Sequence, residues 1–160
     1  MATIIDGKKV SADIKNELRE KVAKLKENNI EITLCVIQVG SDPASCVYVK
    51  NKKKACEDIG INSISYELPE ETTQKELIDL IQELNNRPDV NGILVQLPLP
   101  KHIDENVIIN TISPEKDVDG FHPINVGNLS IGQKGMISCT PAGIIQLLKR
   151  YNISIEGKEC

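Results

Sequence analysis

The chain reads as an α/β domain of three layers, a mainly parallel sheet with helices on both faces. Strand-like and helix-like periodicities alternate along it, the pattern that builds parallel sheets with crossover helices. The strand candidates Ile32 to Val39 and Gly92 to Leu97 are almost continuously apolar, as in strands covered on both sides. Breaker clusters, Gly40-Ser41-Asp42-Pro43 and Pro98-Leu99-Pro100, stop each of them.

The elements follow in order. After a turn at Asp6-Gly7, the apolar residues Val10, Ile14, Leu18, Val22 and Leu25 recur at helical spacing. The strand from Ile32 to Val39 comes next. Asp42 suits an N-cap and Pro43 the first helical position, so a helix starts there and Gly60 closes it. Asn62 to Leu68 alternates as a strand does. Thr73-Gln74-Lys75-Glu76 has the form of a capping box, ahead of Leu77, Ile78, Leu80, Ile81 and Leu84 on one helix. The third strand follows from Gly92, then a helix over Asp104 to Ile112. A polar loop runs from Ser113 to Pro123, and the next fifteen residues carry no clear pattern. Thr140-Pro141 is expected to cap a last helix ending at Arg150.

Bulk properties narrow the class. A chain of 160 residues buries roughly 70% of its unfolded surface and needs no staples. The net charge of −4, with three Tyr, one Phe and no Trp, argues against a nucleic-acid surface. The odd count of five cysteines, with no C-x-x-C, points to a reducing cytoplasmic setting. Neither a secretory signal nor a membrane span is visible.

Function is best sought beyond the carboxyl ends of the strands, where three segments emerge. In the first, Lys50, Lys53 and Lys54 share one side of a helix. Lys52 falls on the opposite stripe with Ser45, Tyr48, Ala55, Cys56 and Ile59. An ammonium among core-facing residues costs free energy unless it has a partner or a task, and burial turns a lysine toward proton transfer near neutrality. Tyr48 and Lys52 are four residues apart and can touch one ligand. The second segment sets Gln96 into an apolar strand. The third is Lys116-Asp117-Val118-Asp119-Gly120-Phe121-His122-Pro123.

Each feature has a plainer reading: Lys52 snorkelling to water, Gln96 satisfying a backbone group, Asp119-Gly120 as a turn, Tyr48 as a core-edge aromatic. Asp117, Asp119 and His122 resemble a metal cluster, but adjacent carboxylates in a turn seldom suffice, so no metal is expected. Cys46 is expected to be a small buried hydrophobe, with a thiol enzyme as the rival idea. His102 is expected in a surface loop. Gly40-Ser41-Asp42-Pro43 is no phosphate cradle.

Together these segments resemble the methylenetetrahydrofolate dehydrogenase/cyclohydrolase family. Asp42-Pro-Ala-Ser-Cys-Val-Tyr48-Val-Lys-Asn-Lys52 is similar to its substrate-site signature, and Gly92-Ile-Leu-Val-Gln96-Leu-Pro-Leu-Pro100 to its second. Lys116 to Pro123 and Cys139-Thr-Pro-Ala-Gly143 match further landmarks. The resemblance implies that Lys52 is the central catalytic group, Gln96 its hydrogen-bonding partner, Tyr48 a ring stacking on folate, and Asp119 an anchor for the pterin. Val49, Lys50, Asn51, Val95 and Leu97 would line the same substrate site.

The family oxidises methylenetetrahydrofolate with NADP and hydrolyses the methenyl product to 10-formyltetrahydrofolate. The resemblance therefore implies a folate substrate and a homodimer in the full-length protein. Residues 1–150 are expected to form the folate-binding catalytic domain, and 151–160 to approach a truncated NADP-binding Rossmann domain. No cofactor-binding residue is expected in the chain, so hydride transfer should be absent and cyclohydrolase activity weak. A folate-binding module without catalysis is the alternative.

Overall fold

The computed structural model describes residues 3–159. Three parallel strands, β1 (Thr33–Val39), β2 (Asn62–Leu68) and β3 (Gly92–Val95), lie in the order β2-β1-β3. The helices in chain order are α1 (Gly7–Glu27), α2 (Pro43–Ile59), α3 (Gln74–Asn86), α4 (Glu105–Thr111), α5 (Pro123–Ser130) and α6 (Cys139–Arg150).

The pleat of β1 explains the layers, because successive side chains face opposite ways. Cys35, Ile37 and Val39 pack with Ile93 and Val95 against Leu77, Ile81 and Leu84 of α3 and Ile108 of α4. Val36 and Leu94 face the other way and meet Val49 of α2. Helix α1 lies against α2. Both sheet faces are thus covered, as the unbroken apolar runs require.

Local signals work as the sequence suggests. Asp6 caps α1, and Asp42 caps α2 by accepting from Ser45 N. Gly60 closes α2 at φ +86°, a left-handed conformation that glycine adopts without strain. Thr73 and Glu76 form the capping box of α3.

Three expectations need correction. The third strand stops at Val95 instead of Leu97: the Gln96 N still donates to Ile37 O, and Pro98, which has no N–H to give a ladder, follows directly after Leu97. The unpatterned stretch after His122 contains α5, whose N-cap is the His122 ring accepting from Ile124 N; imidazole caps leave no usual sequence signature. The last helix begins at Cys139 behind Ser138, which makes no side-chain cap bond, instead of at Thr140-Pro141. Among the described residues after Tyr151 there are turns but no strand. Cys160 lies outside the described residues.

Candidate active site

The carboxyl ends of β1 and β3 and a segment beside β3 define the site. An isolated parallel bridge joins Ile93 to Asp117, with Ile93 N donating to Lys116 O at 2.7 Å. Residues 117–119 therefore run along β3 as a short extra rung, and Asp119 emerges near Val95 and Gln96. Gly92 permits this approach, since a Cβ there would lie 2.5 Å from Val118 Cγ1. Lys116 secures the segment from behind by donating to the carbonyls of Leu84, Asn85 and Arg87 at the end of α3.

Lys52 occupies the stripe of α2 that also holds buried Ser45, Val49, Cys56 and Ile59. It is half-buried. Helical side chains lean toward the N-terminus of their helix, and α2 starts at the carboxyl end of β1, so the stem of Lys52 runs toward that edge of the sheet. Its Nζ donates to Gln96 Oε1 at 2.8 Å. The Gln96 amide is itself oriented, because Nε2 donates to Leu97 O at 2.7 Å. The backbone N of Gln96 donates to Ile37 O, which ties the pair to the sheet.

Asp119 faces the same region half-buried. Burial raises its pKa above the usual aspartate value; the Lys52 charge partly offsets this, and Asp117 adds to it. Among the described residues no protein donor bonds its carboxylate. Tyr48 stands one turn before Lys52 and is 60% exposed. It belongs neither to the core stripe nor to the core edge; its ring is free on the surface. Val49 and Val95 are buried in the core, Leu97 is partly buried, and Asn51 is exposed. Lys50 is exposed on the other flank of α2, where it lines a cavity with Cys46. The structure thus brings Lys52, Gln96 and Asp119 together and turns Lys50 away.

Asp117, Asp119 and His122 separate by role. Asp117 is 2% exposed and accepts from Gly120 N, His122 N and Asn125 Nδ2, so its oxygens are spent on the turn. The His122 ring caps α5. Among the described residues no group of three or more His, Cys, Asp or Glu is placed to hold a metal ion. His102 is exposed in a turn, as expected. Cys46 departs from expectation: it is exposed and lines a cavity with Gln38 of β1 and Ser65 and Glu67 of β2.

One positioning residue escaped the sequence. Buried Asn125 donates to Pro114 O and Asp117 Oδ2 and accepts from Met136 N, holding the turn that presents Asp119. It lies in a helix the pattern does not announce, so no signal marked it.

A family model described as the catalytic domain of tetrahydrofolate dehydrogenase/cyclohydrolase matches residues 5–119. The chain belongs to this family. It is 68% identical over 160 residues to the bifunctional protein FolD of Lachnoclostridium phytofermentans, covering 100% of this chain and 57% of that protein. The crystal structure of the FolD methylenetetrahydrofolate dehydrogenase/cyclohydrolase from Campylobacter jejuni superposes with a TM-score of 0.96 at 55% identity, covering 98% of this chain and 56% of that one. The Trypanosoma brucei family member, solved with NADP cofactor and inhibitor, gives a TM-score of 0.93 at 37% identity, with 98% and 54% covered. The chain therefore spans somewhat over half the length of these relatives.

Proposed function

We propose that this chain is the folate-handling part of a methylenetetrahydrofolate dehydrogenase and methenyltetrahydrofolate cyclohydrolase, with Lys52 as the proton carrier. The Lys52–Gln96 hydrogen bond of 2.8 Å, formed between a helix and a strand end, carries the reading. Hydrolysis of the methenyl bridge begins with water adding to the bridging carbon. Lys52 takes the proton that water loses. The bond from that carbon to N5 then breaks as the carbon–oxygen double bond forms and the hydroxyl proton passes to solvent; Lys52 returns a proton to N5, and the formyl group stays on N10. Gln96 fixes the direction of the amine, and such positioning supplies much of the rate.

Asp119 accepts from the amino and ring N–H donors of the pterin, which suits a half-buried carboxylate with no donor among the described residues. The exposed ring of Tyr48 stacks on the folate. We read residues 1–150 as this folate-binding unit and 151–160 as leading out of it. The same reading carries a cytoplasmic location and a homodimeric full-length protein.

The N-terminus of α2 does not fit the diphosphate of the NADP that the family uses. The N-terminus of α2, which could receive a diphosphate, is filled by the Asp42 carboxylate, and Pro43 removes one N–H there. No hydride step is assigned to these residues; in the relatives, the length that this chain does not match is where the proposed nicotinamide site would lie.

Loss of absorbance of methenyltetrahydrofolate, followed with and without the chain, tests the reading. The wild-type chain is expected to accelerate hydrolysis. Lys52→Met should lower that rate by about a hundredfold or more while folate binding persists in equilibrium titration. A variant as active as wild type overturns the role of Lys52. Folate binding with no acceleration by either protein supports a non-catalytic module instead.

A further inference from the structure

The face of β2 turned toward α2 is polar. Ser63, Ser65 and Glu67 pair in register with Leu34, Val36 and Gln38 of β1, and Val36 packs against Val49 of α2. The alternate residues Ile64, Tyr66 and Leu68 join the other core. A sheet face beneath a helix is usually apolar, yet the hydroxyls of Ser63 and Ser65 are buried without a hydrogen-bond partner among the described residues. Buried polar atoms nearly always find partners, so two on one strand face need a reason.

Ser65 opens onto a cavity of about 380 Å³ between α2 and β2, shared with Gln38, Cys46, Lys50, Lys53 and Glu67. That volume lies within the range of small-molecule sites, roughly 300–1,000 Å³. Gln38 is 5% exposed, and its Nε2 donates both to Gly40 O and to Cys46 Sγ at 3.1 Å. The Gly40 carbonyl fixes which end of the amide is the donor. Gln38 Oε1 takes no donor among the described residues, so this 5% exposed side chain keeps one free acceptor atom at the cavity it lines. Cys46 is exposed, and Lys50 and Lys53 follow it on the same flank of the helix. Glu67 stands across from them on β2.

We propose that this groove is a thiolation site, at which Cys46 exchanges with a low-molecular-weight disulfide of amino-acid type. The thiolate attacks one sulfur of the small disulfide. A new bond forms between Cys46 Sγ and that sulfur, the original S–S bond breaks, and the other half departs as a thiolate that takes up a proton. Cys46 is oxidised and half of the small disulfide is reduced to a free thiol. The retained half pairs its carboxylate with Lys50 and Lys53 and its ammonium with Glu67. Gln38 Oε1 supplies a further acceptor. This flank faces away from Lys52 and Gln96, so the inference stands apart from the folate reading.

Cys139 provides an internal reference, being exposed and the first residue of α6. The reduced chain is incubated with cystine, and adducts are followed by peptide mass spectrometry. Cys46 should acquire the adduct about tenfold faster than Cys139, as expected for a thiol in a receptive polar setting. The double variant Lys50→Met/Lys53→Met should slow the reaction with cystine about fivefold, the scale of exposed charge pairs. It should leave the reaction with neutral 2-hydroxyethyl disulfide unchanged. Glu67→Gln, on the exposed side of the edge strand, should slow cystine in the same selective way. Equal rates at Cys46 and Cys139, or lysine variants that slow both disulfides alike, would overturn the proposal.

Discussion

Helices α3 and α6 are built from similar residues and put them to opposite use. Leu77, Ile81 and Leu84 of α3 are each 0% exposed, enclosed between the sheet and α4. In α6 no residue is buried, and Ile144 is 53% exposed. Polar tethers hold α6 to α1: the two terminal guanidinium nitrogens of Arg150 donate to the Glu17 carboxylate, at 2.6 and 2.8 Å, and Asp6 N donates to the Tyr151 hydroxyl at 2.8 Å. The lesson concerns placement. The proposed catalytic groups rest on the enclosed region, where close packing leaves little freedom, and none of them is drawn from α6.

The widest contrast lies in truncations. Leu77→Ala should cost about 2–5 kcal/mol, the range for a buried leucine whose site cannot collapse. Ile145→Ala in α6 should cost less than about 0.5 kcal/mol, as surface changes do. Denaturant unfolding of the two variants measures both, and equal losses would erase the distinction. Gly92→Ala comes next. The added Cβ would meet Val118 Cγ1 at 2.5 Å, an overpacking expected to cost about 1–3 kcal/mol. It should also slow methenyl hydrolysis by displacing Asp119. If the contact with Val118 is the cause, Val118→Ala should recover much of the loss in a double-mutant cycle.

The enclosed region was also the legible one. An apolar run such as Cys35 to Val39 means a doubly covered strand because only that setting removes so many apolar side chains from water. Asp42-Pro43, Gly60 and the Thr73 capping box act through neighbours a few residues away, so their meaning survives without the fold. Lys52 and Gln96 were each conspicuous as a polar residue in an apolar pattern. Their meeting depends on where α2 crosses the sheet, which only the resemblance suggested. Cys46 misled because helical periodicity fixes which residues share a flank but says nothing of what that flank meets. Here it meets the polar side of β2. Helix α5 was hidden because its cap is a histidine and its apolar residues Ile124, Val126 and Leu129 stay largely exposed, so no core-facing periodicity shaped them.

Two carboxylates carry the contrast to its smallest scale, with opposite signs in pH. The Arg150 guanidinium holds Glu17 below the usual glutamate pKa, chiefly through its hydrogen bonds. A depressed pKa adds stability above the unfolded value, about 4.3 for Glu, and that part is lost as pH falls through the folded value. Asp119 is raised by burial, with the Lys52 charge opposing. Its folded form holds the proton more tightly, so stability is full below the unfolded value of about 3.9 and declines as pH rises through the raised one. Glu17→Gln should therefore lower the Tm slightly at pH 7, and Asp119→Asn should raise it. Both differences should vanish in acid, below about pH 3.9 for Asp119 and below the depressed value for Glu17. Thermal unfolding across pH decides the matter. If Asp119→Asn lowers the Tm at neutrality, attraction between Asp119 and Lys52 outweighs the cost of burial, and the site is an ion pair instead of a desolvated acceptor waiting for its ligand.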